Sequence, residues 1–130
     1  MSDLVTPLRR ARGLGSAKHG VGHFIGQRVS AVAILLLAPW VLWSGARLAG
    51  SDFDGVRRWL AQPLDAALTI LLLLAGFYHA QLGVRVIVED YVDGRIARVA
   101  LLVLNAFVAA AAAVLAVVCV LSVVLGSGAV

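Results

Sequence analysis

The 130-residue chain is 62% hydrophobic, only 14% charged, and has a mean hydropathy of +0.97. That is more apolar sequence than a soluble core needs, so an ordinary water-soluble domain is excluded and the bilayer has to be treated as solvent. The net charge of +4 and the pI near 10.2 come largely from arginines before and between the apolar runs. No aromatic-basic motif accompanies them, so the charge speaks for membrane topology and not for nucleic acid.

Residues 1–27 are basic and glycine-rich with no early apolar run. They lack the layout of a cleaved signal peptide and are expected to remain as a cytoplasmic N-terminal segment. Gly13, Gly15 and Lys18 superficially suggest a phosphate loop, but no strand precedes them and the Walker spacing is absent, so that reading is discarded.

Three stretches, 29–48, 64–88 and 99–125, meet the ~20 residues a helix needs to cross the hydrocarbon. They predict an all-α integral membrane protein with three transmembrane helices and a single membrane domain over 1–130. In the first span Pro39 predicts a kink, because it removes a backbone donor and clashes with the preceding turn. Trp40 and Trp43 near its end, with Trp59 in the following loop, suit an aromatic belt or plain lipid-facing bulk.

Basic residues favour the cytoplasmic side of membrane ends. Arg9, Arg10, Arg12, Lys18 and Arg28 stand against one acid, Asp3, while the tail after Gly126 is uncharged. With three crossings, the N-terminus is expected in the cytoplasm and the C-terminus in the periplasm. The loops discriminate less, since Arg57 and Arg58 lie in one and Arg95 and Arg98 in the other.

The second span carries the chemistry. His79 is the only histidine within a predicted span, since His19 and His23 precede the first, and ionisable groups at membrane depth usually carry function. At roughly 100° per residue, Gly76 and Gly83 are nearly eclipsed, with His79 between them on one broad face. The glycines alone read as a groove for another helix; beside an imidazole, a strong axial ligand for haem iron, they equally leave a slot for a flat macrocycle.

Asp90 lies eleven positions on and returns to that face, about 16 Å along the axis. Tyr91 offers a phenolic donor to a carbonyl oxygen, and Asp90 can accept a proton or orient a cation or water, which are the partners a quinone headgroup needs. The competing reading of this pair is an ordinary interfacial helix end. Histidine at this depth also has a competing reading, a hydrogen-bonded packing residue.

The third span offers little polarity beyond Asn105 and Ser122, which argues against a transporter pathway, and Ala109 to Ala113 permit close helix contact. Cys119 is the only cysteine, so the chain supports neither an internal disulfide nor a thiolate cluster; it is expected to be a buried packing thiol.

The run from His79 through Gly83 to Asp90-Tyr91 resembles the H-x-x-x-G, then D-Y signature of the small hydrophobic membrane anchor of succinate dehydrogenase, respiratory complex II. The stretch from Gly13 to Lys18 and on through Gly20, His23 and Phe24 to Arg28 resembles the segment before the first helix in the alphaproteobacterial form. The likeness covers nearly the whole chain. It implies an anchor packed with a second anchor subunit in a helical bundle of the bacterial inner membrane, without dehydrogenase activity of its own.

By that resemblance, His79 is an axial ligand of a haem b shared with the larger cytochrome b anchor subunit, and Tyr91 hydrogen-bonds the carbonyl of ubiquinone. Asp90 is the neighbouring acid, Arg28 lies near the haem propionates, and Gly83 borders the haem slot. FAD and iron-sulfur clusters belong to the flavoprotein and iron-sulfur partner subunits only. His23 replaces an acid found in some relatives, and is expected either to support a proton path or to be a plain interfacial histidine. Arg85 either snorkels to the cytoplasmic surface or meets a propionate. A second imidazole has to come from another chain, through an unlike anchor or a haem-bridged homodimer. The other readings are a haem-free structural anchor, including that of a quinol:fumarate reductase, and a small membrane transporter.

Overall fold

The computed structural model describes Leu8 and residues 20–126. Arg9, Arg10, Arg12, Lys18, His19, the Gly13 to Lys18 stretch and the tail beyond Gly126 lie outside the described residues. Among residues 20–126 four helices follow in order: α1 (Gly20–Leu48), α2 (Phe53–Leu60), α3 (Pro63–Tyr91) and α4 (Arg95–Val124). Three of them, α1, α3 and α4, are long and apolar enough to cross a membrane. No strand occurs among the described residues.

The helix α1 starts nine residues before the expected position 29 and takes in His23 and Arg28. Gly20, Gly22 and Gly26 depress helix propensity there, which hides the start from the sequence pattern; close contact with α3 is made at Gly26. Its 29 residues extend about 43 Å against a hydrocarbon core of ~30 Å, so one end projects into the interface. The helix continues through Pro39, which supplies no N–H to the Leu35 carbonyl.

Between α1 and α3 the expected loop contains a short helix. Asp52 caps α2 by accepting from the Gly55 N–H at 2.8 Å. Pro63 opens α3 at a position where a missing N–H costs nothing. At this end Trp59 of α2 stacks on Trp40 of α1 with ring centroids 5.8 Å apart. The Trp40 indole N–H donates to Asp65 Oδ1 in the first turn of α3 at 3.2 Å. The Trp40 and Trp59 rings thus tie three helix ends together, while Trp43 stays exposed.

The central helix is α3, with α1 on one side and α4 on the other. Asn105 of α4 donates to the Gln81 carbonyl of α3 at 2.9 Å, and Arg98 closes the connection by donating to the Val92 carbonyl at 2.9 Å. On the α1 side, a Cβ built on Gly26 would fall 2.7 Å from Tyr78 Oη and 3.3 Å from Leu82 Cδ1. The absence of a side chain at Gly26 lets Tyr78 and Leu82 of α3 lie close against α1 at that level.

Among the described residues the apolar core is limited to Leu37, Ala66, Leu82, Val88 and Val120. Leu35, Leu36, Phe107 and Leu115 are each more than half exposed. In water such faces would drive aggregation; facing acyl chains or other helices, they carry no such penalty. The same openness corrects the expectation for Cys119, which is exposed and not buried, because α4 contacts the rest of the chain along one side only.

Candidate functional site: a histidine held between two helices

His79 sits in the middle of α3, half-buried, with its ring directed at α1. Ser30 Oγ lies 3.0 Å from Nδ1, and Gln27 Nε2 lies 3.4 Å from Nε2. Ser30 and Gln27 are three residues apart and so share one face of α1. Ser30 is 4% exposed, and its hydroxyl also lies 2.8 Å from the Gly26 carbonyl and 3.1 Å from that of Gln27. Bonding back to the preceding turn is what serine does inside a helix, and here it fixes the rotamer that meets the imidazole.

One turn before Gln27, His23 continues the polar face. His23 Nε2 and Gln27 Oε1 are both buried without a hydrogen-bond partner among the described residues. Buried polar atoms are almost always paired in folded proteins, so these two mark an unsatisfied polar seam along α1. The sequence reading missed Gln27 and Ser30. Their signal is the spacing 23, 27 and 30, a polar stripe on an apolar helix, visible once α1 is extended back to Gly20.

The other predicted site residues lie elsewhere. A Cβ on Gly76 or Gly83 would meet nothing within 4 Å, so both positions border open space. Asp90 and Tyr91 end α3, and Tyr91 is 82% exposed. Neither side chain makes a hydrogen bond among the described residues, so both are open to an external partner. Because α3 runs unbroken from His79 to Tyr91, Asp90 is about 16 Å along the axis from the imidazole.

Arg28 is exposed, with its guanidinium carbon 5.2 Å from the Phe24 ring centroid, and does not share the face that meets His79. Arg85 donates to Glu89 Oε1 at 2.7 Å, one turn toward the Tyr91 end, with both side chains well exposed. No cluster of three or more histidine, cysteine or acidic side chains able to hold a metal ion occurs among the described residues.

Comparison with known proteins places this arrangement. The family described as succinate dehydrogenase/fumarate reductase transmembrane subunit matches residues 2–125. The succinate dehydrogenase hydrophobic membrane anchor subunit of Paracoccus denitrificans is 34% identical over 90 residues, covering 69% of this chain and 70% of that protein. Its counterparts from Rickettsia conorii and Rickettsia bellii are 29% and 30% identical, each covering 70% of this chain and 73% of the relative. No solved structure matches the chain significantly. With a family match across nearly its whole length, the chain belongs to the succinate dehydrogenase/fumarate reductase transmembrane subunit family.

Proposed function

We propose that this family member is the hydrophobic anchor of a succinate:quinone oxidoreductase in the bacterial inner membrane, and that His79 is its axial ligand to a haem b. The observation that carries this reading is the imidazole itself, held in mid-helix by α1 between a close contact on Nδ1 and a long one on Nε2. Nδ1 is engaged by Ser30, whereas Nε2 has only the long contact to the Gln27 amide, which has no other side-chain hydrogen bond among the described residues. Neutral imidazole anchored through one nitrogen binds iron through the other, and the Gln27 side chain would swing off Nε2 to make way for it. The open Gly76 and Gly83 positions border the same face and leave room for a planar group. Bound there, a haem b would supply a one-electron store beside the quinone.

In such a complex a cytoplasmic iron-sulfur subunit, served by a flavoprotein that oxidises succinate, would supply the electrons for the quinone. Tyr91 hydrogen-bonds a quinone carbonyl through its phenolic O–H, and Asp90 with water relays the protons taken up at the same helix end. The N-terminus lies in the cytoplasm and the C-terminus in the periplasm, which sets Asp90 and Tyr91 at the cytoplasmic surface, where the iron-sulfur partner docks. Arg28, next to Gln27 and so near the level of His79, serves the propionates with its fork of donors. One copy of the chain offers one deep imidazole, so the larger cytochrome b anchor supplies the second.

The test is to purify the native complex through this chain and to measure its subunits and haem. The reading expects four unlike chains and one haem per copy of this one. A homo-oligomer with one haem per two identical chains, or a complex with no haem, would contradict it.

A further inference from the structure

Resting on the reading of His79 as a haem ligand, we infer that Ser30 is the positioning residue that aims this imidazole and sets the electron affinity of the iron it binds. A neutral imidazole that ligates through Nε2 carries its proton on Nδ1, and that proton needs an acceptor. The atom in reach is Ser30 Oγ, 3.0 Å away. Ser30 is 4% exposed, so water does not compete for the contact.

The proton count is consistent. A serine hydroxyl has one proton and two lone pairs. Its proton goes to the Gly26 carbonyl at 2.8 Å, with the Gln27 carbonyl at 3.1 Å as the alternative acceptor on the same turn. Oγ is then left with a lone pair toward Nδ1, and the chain runs from imidazole N–H to hydroxyl to backbone carbonyl, each group donating to the next. Ser30 stands on α1 and His79 on α3, so the ring is oriented by the neighbouring helix and not by its own. Gln27 cannot take this part, because it meets the other nitrogen, from which its side chain has to swing away when iron binds.

A hydrogen bond accepted from Nδ1–H makes the ring a stronger donor to iron and favours the ferric state. Removing the acceptor therefore raises the midpoint potential. A residue that only fills space would not do this in order of acceptor strength.

The experiment is a redox titration of the b-type signal, with low-spin electron paramagnetic resonance, on intact complexes carrying Ser30→Ala, Ser30→Cys or Ser30→Thr. Ser30→Ala is expected to shift the potential upward and alter the g-values. Ser30→Cys, a weaker acceptor of similar size, shifts it less, and Ser30→Thr, which keeps a hydroxyl able to bond the preceding turn, stays near wild type. If the Ala variant does not assemble, the ordering of Cys against Thr decides. A potential and g-values unchanged in the Ala and Cys variants overturn the role of Ser30 while leaving His79 ligation intact. Ligation is read separately, by loss of the signal in His79→Ala. A wild-type complex without haem, or a signal that persists in His79→Ala, overturns both.

Discussion

Ser30 and His79 are 49 positions apart in the chain, yet Ser30 Oγ and His79 Nδ1 lie 3.0 Å from each other across the contact between α1 and α3. The bond ties the orientation of a single ring to the separation of two membrane helices. Anything that moves α1 away from α3 at this level also releases the imidazole.

Gly26 is where that separation is set. An alanine there would place a methyl against Tyr78 Oη, the mobile end of a side chain, and is expected to be tolerated. A leucine adds volume that Tyr78 and Leu82 cannot both yield, at about 1–3 kcal/mol for overpacking. Gly26→Leu should lower the melting temperature of the purified complex and its haem content, with Gly26→Ala near wild type.

At the far end of α3, Tyr91→Phe removes one hydroxyl from an exposed side chain with no partner among the described residues. Folding and haem content should therefore be unchanged. Loss of one hydrogen bond to the quinone, about 1.4 kcal/mol, predicts a roughly tenfold fall in succinate-driven quinone reduction. An unchanged rate would remove Tyr91 from the quinone contact.

The bond from Asn105 to the Gln81 carbonyl crosses an otherwise apolar contact. That carbonyl also lies within the α3 ladder, so Asn105→Leu leaves no orphaned group on α3. Hydrogen bonds between membrane helices are worth about 1 kcal/mol, and the variant should lose roughly that amount. Unfolding of the chain in mixed micelles is the measurement.

Asp65 holds the Trp40 indole and sits in the first turn of α3, where a negative charge also complements the helix dipole. Asp65→Ala removes both, for about 1–2 kcal/mol, while Asp65→Asn keeps an acceptor and loses less. The stacked pair Trp40 and Trp59 reports the change directly, so tryptophan emission should shift in the Ala variant more than in the Asn variant.

The three spans were legible because hydropathy and length are local properties, and His79, Asp90 and Tyr91 stood out because polar groups are rare in such sequence. The short helix α2 escaped, although Asp52 three residues before Gly55, with apolar Phe53, Val56 and Leu60, carries a cap and a helical stripe. The early start of α1 escaped because its glycines argue against helix, and only tertiary packing overrides them. Ser30 and Gln27 were out of reach for a different reason. Their meeting with His79 depends on the register of α1 against α3, which no local pattern encodes. The Arg85 and Glu89 pair lay in plain view at a spacing of four.

Ligation of haem iron by His79 is read from a reduced-minus-oxidised optical spectrum of the purified complex. The wild-type complex is predicted to show a b-type signal that disappears or changes form in His79→Ala while the chain still assembles. The same spectrum in both complexes, or no haem in the wild type, would contradict the account.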